Sequence, residues 1–403
     1  MNPRTGGPCQ AVRNFFSRAV ELGNGMEVVC LDDPNSDYLG HESLPVHALG
    51  EARGPWGYHP KLRPWLVENL ARFDAVILNG LWQYPGFALA KVAQLPNMPP
   101  YFVFPHGMLD PWFQRAPGRR LKAIRNWLHW KLVERHVIHR AKAVLFTCAE
   151  EMRLARETFR PYQPGITINV GFGIAPPPEY HANMRAAFAA KCRGLNGRSG
   201  LLFLGRIHPK KGVDILIQAY SALCRASGTN QPGTTPKLVI AGPGLETSFG
   251  KQMQTLAAKL CPPDSVFWPG MLTGDAKWGA LNQADAFALI SHQENFGVAV
   301  AEALACGIPV LISNQVNIWR EIAEDKAGLV AADSLEGAKE LLQSWQNLSI
   351  ADKTAMKKAA QSTYERHFRI DVAAEKLLAT IQDLIMHPAR LEQHAGNGIY
   401  IPG

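Results

Sequence analysis

The run "DAFALISHQENFGVAVAEALACGIPVLIS", Asp285 to Ser313, decides the fold. It opens on a short apolar stretch, turns at "ENFG", continues through "VAVAEALACG" and ends on a second apolar stretch after Gly307. Short apolar runs on either side of a segment with helical spacing mark a parallel β–α–β unit. Gly307 is the expected stop of the helix, and "IPVLIS" the next strand. Two carboxylates interrupt this otherwise core-like stretch, Glu294 and Glu302, with seven residues between them. On this reading Glu294 stands at the C-terminal edge of a parallel sheet, just before a helix N-terminus. Doubly wound folds bind their ligands at that edge. The first amides of the helix have no partner within it, and the helix dipole favours an anion there. Glu302 falls about one and a half turns into a helix of small residues that let a ligand approach. Carboxylates in these two places accept hydrogen bonds from hydroxyls, and sugars and riboses are the obvious donors. By spacing alone, a loop acid and a helix acid in salt bridges is the commoner arrangement. The strand edge, the turn, the small-residue helix and the Gly-Ile-Pro exit together favour a ligand site.

The same alternation extends in both directions. In the first half, strands are expected at "MEVVCL", "DAVILN", "YFVFP", "KAVLFT" and "ITINV", with helical spacing between them, as at 10–22 and 119–139. In the second half they are expected at "GLLFLG", "KLVIAG", "SVFWPG", "DAFALIS" and "IPVLIS". Ten strands suit two sheets better than one, and 403 residues suit two domains. The Gly-, Pro- and polar-rich segment 171–199 is the expected boundary, between a first domain at 1–175 and a second at 196–366. An amphipathic C-terminal helix at about 370–390 follows. The loop 227–236, "SGTNQPGTTP", reads as a surface insertion. At the start, only five residues precede Gly6. A doubly wound domain places a central strand before its first glycine loop, and its loss leaves neighbouring backbone groups unpaired. The first strand of the N-terminal domain is therefore expected to be missing from this sequence.

Three further stretches carry chemistry. In "LFLGRIHPKKGVDILIQAY", Leu202 to Tyr220, a strand ends at Gly205 and a helix follows Gly212, with Arg206, Lys210 and Lys211 between. Arginine presents a planar fork and lysine a point charge, and together they clamp a diphosphate. Such a loop alone is usually only solvated; beside a carboxylate site in the same sheet it becomes a nucleotide-diphosphate pocket. "TGGP", Thr5 to Pro8, is a glycine loop before a helix where backbone can approach phosphate, although a plain turn is commoner. "FPHGMLDPW", Phe104 to Trp112, puts His106 and Asp110 at the end of an apolar strand. A histidine followed by glycine at such an edge is a candidate for the reacting centre.

Taken together, these residues resemble glycosyltransferase family 4, the retaining nucleotide-sugar enzymes of GT-B architecture. "ENFGVAVAE" matches the family's pair of glutamates. "GRIHPKKG", "TGGP", "NGLWQYP", "PHGMLDPW" and "FWPGMLTGDAKW" follow the family's motifs in order. The resemblance implies an α/β protein of two Rossmann-like doubly wound domains facing across a cleft. It implies that Glu294 contacts donor-sugar hydroxyls, while the backbone of Asn295, Phe296 and Gly297 holds the sugar. The amides of Val298 and Ala299, with Gly6 and Gly7 from the first domain, would hold the phosphates. Glu302 would take the ribose, Arg206 and Lys211 the leaving diphosphate, and His106 the reacting centre. Trp82 and Asp110 are the acceptor-side candidates, and Asp110 is the sole candidate nucleophile for a double displacement. No resident metal or other cofactor is expected, and the acceptor is a saccharide or a lipid-linked saccharide. "INVGFGI" departs from the family's usual turn before the interdomain linker, which bears on hinge geometry and not on chemistry. A GT-B sugar-nucleotide epimerase and a non-catalytic nucleotide-sugar-binding subunit are the alternatives.

Composition fits this picture. The chain is 47% hydrophobic and 19% charged, with a formal net charge of +8. No nucleic-acid motif accompanies the positive charge, so nucleic acid is not an expected partner. Seven scattered cysteines, none spaced C-x-x-C, predict free thiols. The opening residues carry no leader pattern, and a cytoplasmic chain is expected. Cations concentrate between residues 112 and 142 beside Trp112, Phe113, Trp127 and Trp130. Basic residues beside aromatics suit an anionic membrane surface, and predict a peripheral site on the inner membrane face. The competing arrangement buries Trp127 and Trp130 and leaves the cations as a solvated face.

Overall fold

The computed structural model describes residues 1–2, 7–40, 44–116, 118–195, 200–226 and 236–387. It divides into two compact units, Met1–Ala175 together with the chain from Ile370, and Pro176–Arg369.

The first unit holds a parallel pair, β1 (Val28–Cys30) and β2 (Val46–Ala48). A separate four-stranded parallel sheet follows, β3 (Val76–Asn79), β4 (Tyr101–Phe104), β5 (Ala143–Phe146) and β6 (Thr167–Asn169), in that spatial order. "YFVF" and "AVLF" are buried at every position. A parallel strand covered on both faces has no solvent side, so it reads as a continuous apolar run. Among the described residues no strand precedes β1; the helix Gly7–Glu21 does. The C-terminal helix Ile370–Met386 packs on it, burying Ala373, Ala374, Leu377, Ile381 and Leu384 along one stripe.

The second unit is a six-stranded parallel sheet: β7 (Gly200–Leu204), β8 (Leu238–Ala241), β9 (Val266–Gly270), β10 (Ala284–Leu289), β11 (Val310–Ser313) and β12 (Gly328–Ala331). Their spatial order is β12-β11-β10-β7-β8-β9. This is the 3-2-1-4-5-6 order of doubly wound nucleotide-binding sheets. The chain builds outward from β7 to β9, then crosses back to lay β10 on the other side of β7. The loops after β7 and β10 therefore leave the same sheet edge side by side, at the topological switch point.

All ten anticipated strands are present. Two further ones, β2 and β12, are short and half-buried for most of their length. The segment 171–199 is more than a boundary, because it contains the helix Ala182–Lys191. Met184 and Phe188 of that helix are buried. It lies so close to the helix Gly274–Gln283 that a Cβ at Gly279 would collide with the Met184 carbonyl. Nearly all of the loop 227–236 lies outside the described residues.

Candidate active site

The loop after β7 and the loop after β10 are bound together by backbone. Gly212 sits at φ +62°, and a Cβ there would collide with the Ile290 carbonyl oxygen. Only glycine allows that approach. The Lys210 carbonyl accepts the His292 N–H at 2.8 Å and the Ser291 hydroxyl at 3.0 Å. His208 shapes the turn from the other side, its Nδ1 accepting the Lys210 N–H at 3.1 Å. These bonds carry Lys211 to Glu294, and ammonium and carboxylate form an ion pair. Glu294 is also fixed by its backbone: its N–H donates to the Gln315 carbonyl at 2.9 Å, and its carbonyl accepts the Asn317 N–H at 3.0 Å. Burial, then the nearby Lys210 and Arg206, draw the Lys211 ammonium down to about 7. Contact with Glu294 acts the other way and holds the proton. Arg206, at the start of the loop, is exposed. Nearby, His292 Nδ1 lies 2.8 Å from Asp333 Oδ2, and that hydrogen bond raises the imidazole above its ordinary value.

The second glutamate stands apart from this pair. Phe296 is buried edge-on against Phe368, with ring centroids 5.5 Å apart. That anchor turns the chain into Gly297, at φ +79°, which begins the helix Val298–Ala305. Glycine contributes no side-chain acceptor as N-cap, so the Val298 and Ala299 amides head the helix without one. The Asn295 side-chain oxygen accepts from the Asn317 amide at 3.5 Å. Glu302, on the next turn, accepts a hydrogen bond from Lys277 Nζ at 2.7 Å. Lys277 also sits over the Trp278 ring, 4.2 Å from its centroid. Lys211 and Glu294 thus meet directly, Arg206 shares the loop of Lys211, and Glu302 pairs with a lysine that the sequence did not single out. Lys277 lies within the motif "FWPGMLTGDAKW", but nothing in that stretch marks it as the partner of Glu302.

The first unit brings its candidates to the C-terminal edge of β3 and β4. His106 follows β4 in a left-handed backbone conformation, φ +51°. Its ring stacks on Phe104 at 4.3 Å, and its Nε2 lies 2.9 Å from Asn79 Oδ1 at the end of β3. Burial pushes the imidazole down to about 4, so the ring is neutral at pH 7. The turn is held by a residue the sequence did not flag. Buried Glu151 accepts the Gly107 N–H at 2.5 Å through Oε1. Its Oε2 accepts the Thr147 N–H at 2.8 Å and the Thr147 hydroxyl at 2.5 Å. Its one local sign is position, an acid on the first helical turn after β5. Trp82 is also left-handed, at φ +74°. Its backbone N–H donates to Glu134 Oε1 at 2.8 Å, and its indole donates to the Met108 carbonyl at 3.3 Å. Asp110 is buried and accepts the Trp112 N–H at 2.8 Å, capping the turn that follows. Gly6 lies outside the described residues, and Gly7 is the first residue of its helix.

Sequence and structure comparisons identify the family and the fold. The model for the group 1 glycosyl transferases matches residues 194–363, and that for the glycosyl transferase 4-like domain matches residues 6–171. Glycogen synthase of Mycobacterium tuberculosis is 28% identical over 320 residues, covering 77% of this chain and 69% of its own. Sucrose-phosphate synthase from Thermosynechococcus elongatus superposes with a TM-score of 0.71 at 19% identity, covering 94% of each chain. Anabaena HepE, solved with UDP-glucose, superposes with a TM-score of 0.70 at 15% identity, covering 94% of this chain and 96% of its own. With a nucleotide-binding strand order, a cation–carboxylate pair at its switch point and family models matching both halves, the chain belongs to the group 1 glycosyltransferases of GT-B fold.

Proposed function

We propose that this glycosyltransferase moves a hexose, with retention of anomeric configuration, from a nucleotide-diphosphate sugar to a saccharide or lipid-linked saccharide. The reading places it in cell-surface polysaccharide or glycoconjugate synthesis on the cytoplasmic side of the membrane. The observation that carries it is the Lys211–Glu294 pair at the switch point, beside a helix headed by glycine.

Cleaving the anomeric C–O bond leaves negative charge on the diphosphate and positive charge on the sugar ring. Arg206, Lys211 and the Val298 and Ala299 amides meet the diphosphate charge where it grows, which lowers the barrier more than it tightens ground-state binding. Charge neutralisation of this kind needs no resident metal. Once diphosphate engages Lys211, Glu294 is released from its ion pair to accept sugar hydroxyls. Glu302 takes the ribose. Neutral His106 faces the reacting sugar as a hydrogen-bonding group and not as a cation. The acceptor hydroxyl attacks on the face the diphosphate leaves, and a phosphate oxygen takes its proton.

The test is incubation with a panel of UDP-, GDP- and ADP-sugars and saccharide acceptors, UDP-glucose first, with proton NMR of the product. Transfer with an unchanged anomeric configuration is expected. An inverted product, or a new sugar nucleotide formed without any acceptor, would contradict the proposal.

A further inference from the structure

The helix Arg120–His129 continues through a π-helical turn, Trp130–Glu134, into the helix Arg135–Arg140. Its inward stripe is ordinary: Trp130, Glu134 and Val137 are buried. Its outward stripe is not. Leu121 is 84% exposed, Ile124 58%, Leu128 48% and Leu132 74%. At 100° per residue these four side chains share one face. Trp127 flanks them, half exposed, with Lys131 Nζ 5.1 Å from its ring centroid. The Trp127 and Trp130 of the sequence reading therefore part company, one outward and one in the core.

Single exposed leucines are commonplace, but an aligned row of four large apolar side chains on a solvent face costs solubility unless something covers it. The charge around the row says what. Arg120, Lys122 and Arg125 are exposed beside it. Between residues 111 and 142 the only acid is Glu134, which is fully buried. A second copy laid on this face would set cations against cations, which disfavours self-association. An apolar row rimmed by cations matches a bilayer surface, with acyl chains beneath and anionic headgroups above. Among the described residues no helix is long and apolar enough to cross a membrane, so the contact is in the plane of the interface.

We propose that the outward face of residues 120–132 is a peripheral docking surface for anionic lipid bilayers, with Leu121, Ile124, Leu128 and Leu132 inserted and Arg120, Lys122 and Arg125 at headgroup level. This inference is independent of the transfer chemistry, and its test contains no nucleotide sugar, so either can fail alone. The experiment is co-sedimentation of the full chain with phosphatidylcholine vesicles, with and without phosphatidylglycerol, at low and high salt. Binding is expected only to the anionic vesicles, weakening with salt. The triple variant L121S/L128S/L132S is expected to bind about tenfold more weakly or worse, with an unchanged melting temperature because the three sites are exposed. Should that variant melt early, Leu121→Ser alone replaces it. K122E/R125E should lose binding as well. No sedimentation with anionic vesicles at low salt would overturn the proposal. So would binding that the serine variants leave unchanged, or a dimer in solution that those variants dissociate.

Discussion

At the scale of single residues, the proposed transfer chemistry turns on Lys211. Burial beside Lys210 and Arg206 draws its ammonium down to about 7, and the Glu294 carboxylate in contact with it pulls the other way. A group that must be charged to meet diphosphate, and whose pKa lies below the ordinary lysine value, sets a falling limb on kcat/KM for the donor on the alkaline side of neutrality. Lys211→Arg, which stays protonated, is expected to flatten that limb at reduced turnover. Lys211→Ala is expected to lose roughly 10²–10³-fold in kcat, the usual scale for one electrostatic donor. A pH–rate profile of the three proteins checks both, and an alanine variant with unchanged turnover would remove this lysine from the mechanism. His106 makes the opposite statement. Because its ring is neutral above about pH 4, no histidine limb near pH 6.5 should come from it, and the profile of His106→Ala should keep the wild-type shape at lower height. Lys211, Glu294, Glu302 and His106 were legible because each sits at a strand edge or on the helix leaving one. Glu151, Glu134 and Lys277 were not, since each matters through a partner 44, 52 or 25 residues away. A single sequence carries no record of such distances.

At the scale of elements, two local backbone arrangements are testable. Gly297 has φ +79°, and a Cβ there would lie 3.2 Å from Val300 and 3.3 Å from Val316. Gly297→Ala is expected to cost about 1–2 kcal/mol from the left-handed conformation alone, measured by urea denaturation, and to displace the Val298 amide from any bound anion. Glu134, in the π-helical turn, is fully buried, and burial raises its carboxyl from 4.5 to about 7. The folded state therefore takes up a proton between those values that the unfolded chain does not. Stability that is present below pH 4.5 is lost progressively as pH rises to 7. Glu134→Gln stays neutral throughout, so its stability relative to the parent should improve by about 1–3 kcal/mol between pH 5 and 8. Parallel stability curves across that range would contradict the assignment. The elements themselves were readable wherever an apolar run was long enough, as in "AVLF" or "GLLFL". β2 escaped because its three half-buried residues, "VHA", leave no such run, whereas "GLVA" of β12 is apolar throughout and was passed over. The helix Ala182–Lys191 escaped because only Met184 and Phe188 mark its inner face among alanines.

At the scale of the whole molecule, the alternation of apolar runs and helical spacing announced an α/β chain; the number of strands suggested two sheets, whereas the first unit divides its strands between the β1–β2 pair and a separate four-stranded sheet. Strand order was beyond that reading. Nothing in "DAFALI" says that β10 returns to lie beside β7, since order depends on which surfaces the crossovers cover. Yet that order brings the 206–212 loop to the 290–297 loop and makes one site of two motifs. The most direct test is calorimetric titration of the full chain with UDP, GDP and ADP, repeated on Lys211→Ala and Glu302→Ala. One nucleoside diphosphate should bind the parent, and each variant should bind it roughly 10–100-fold more weakly, the scale of a hydrogen bond to a charged group. Failure of all three to bind the parent, or binding that neither substitution weakens, would contradict the claim that these loops form a nucleotide-diphosphate site.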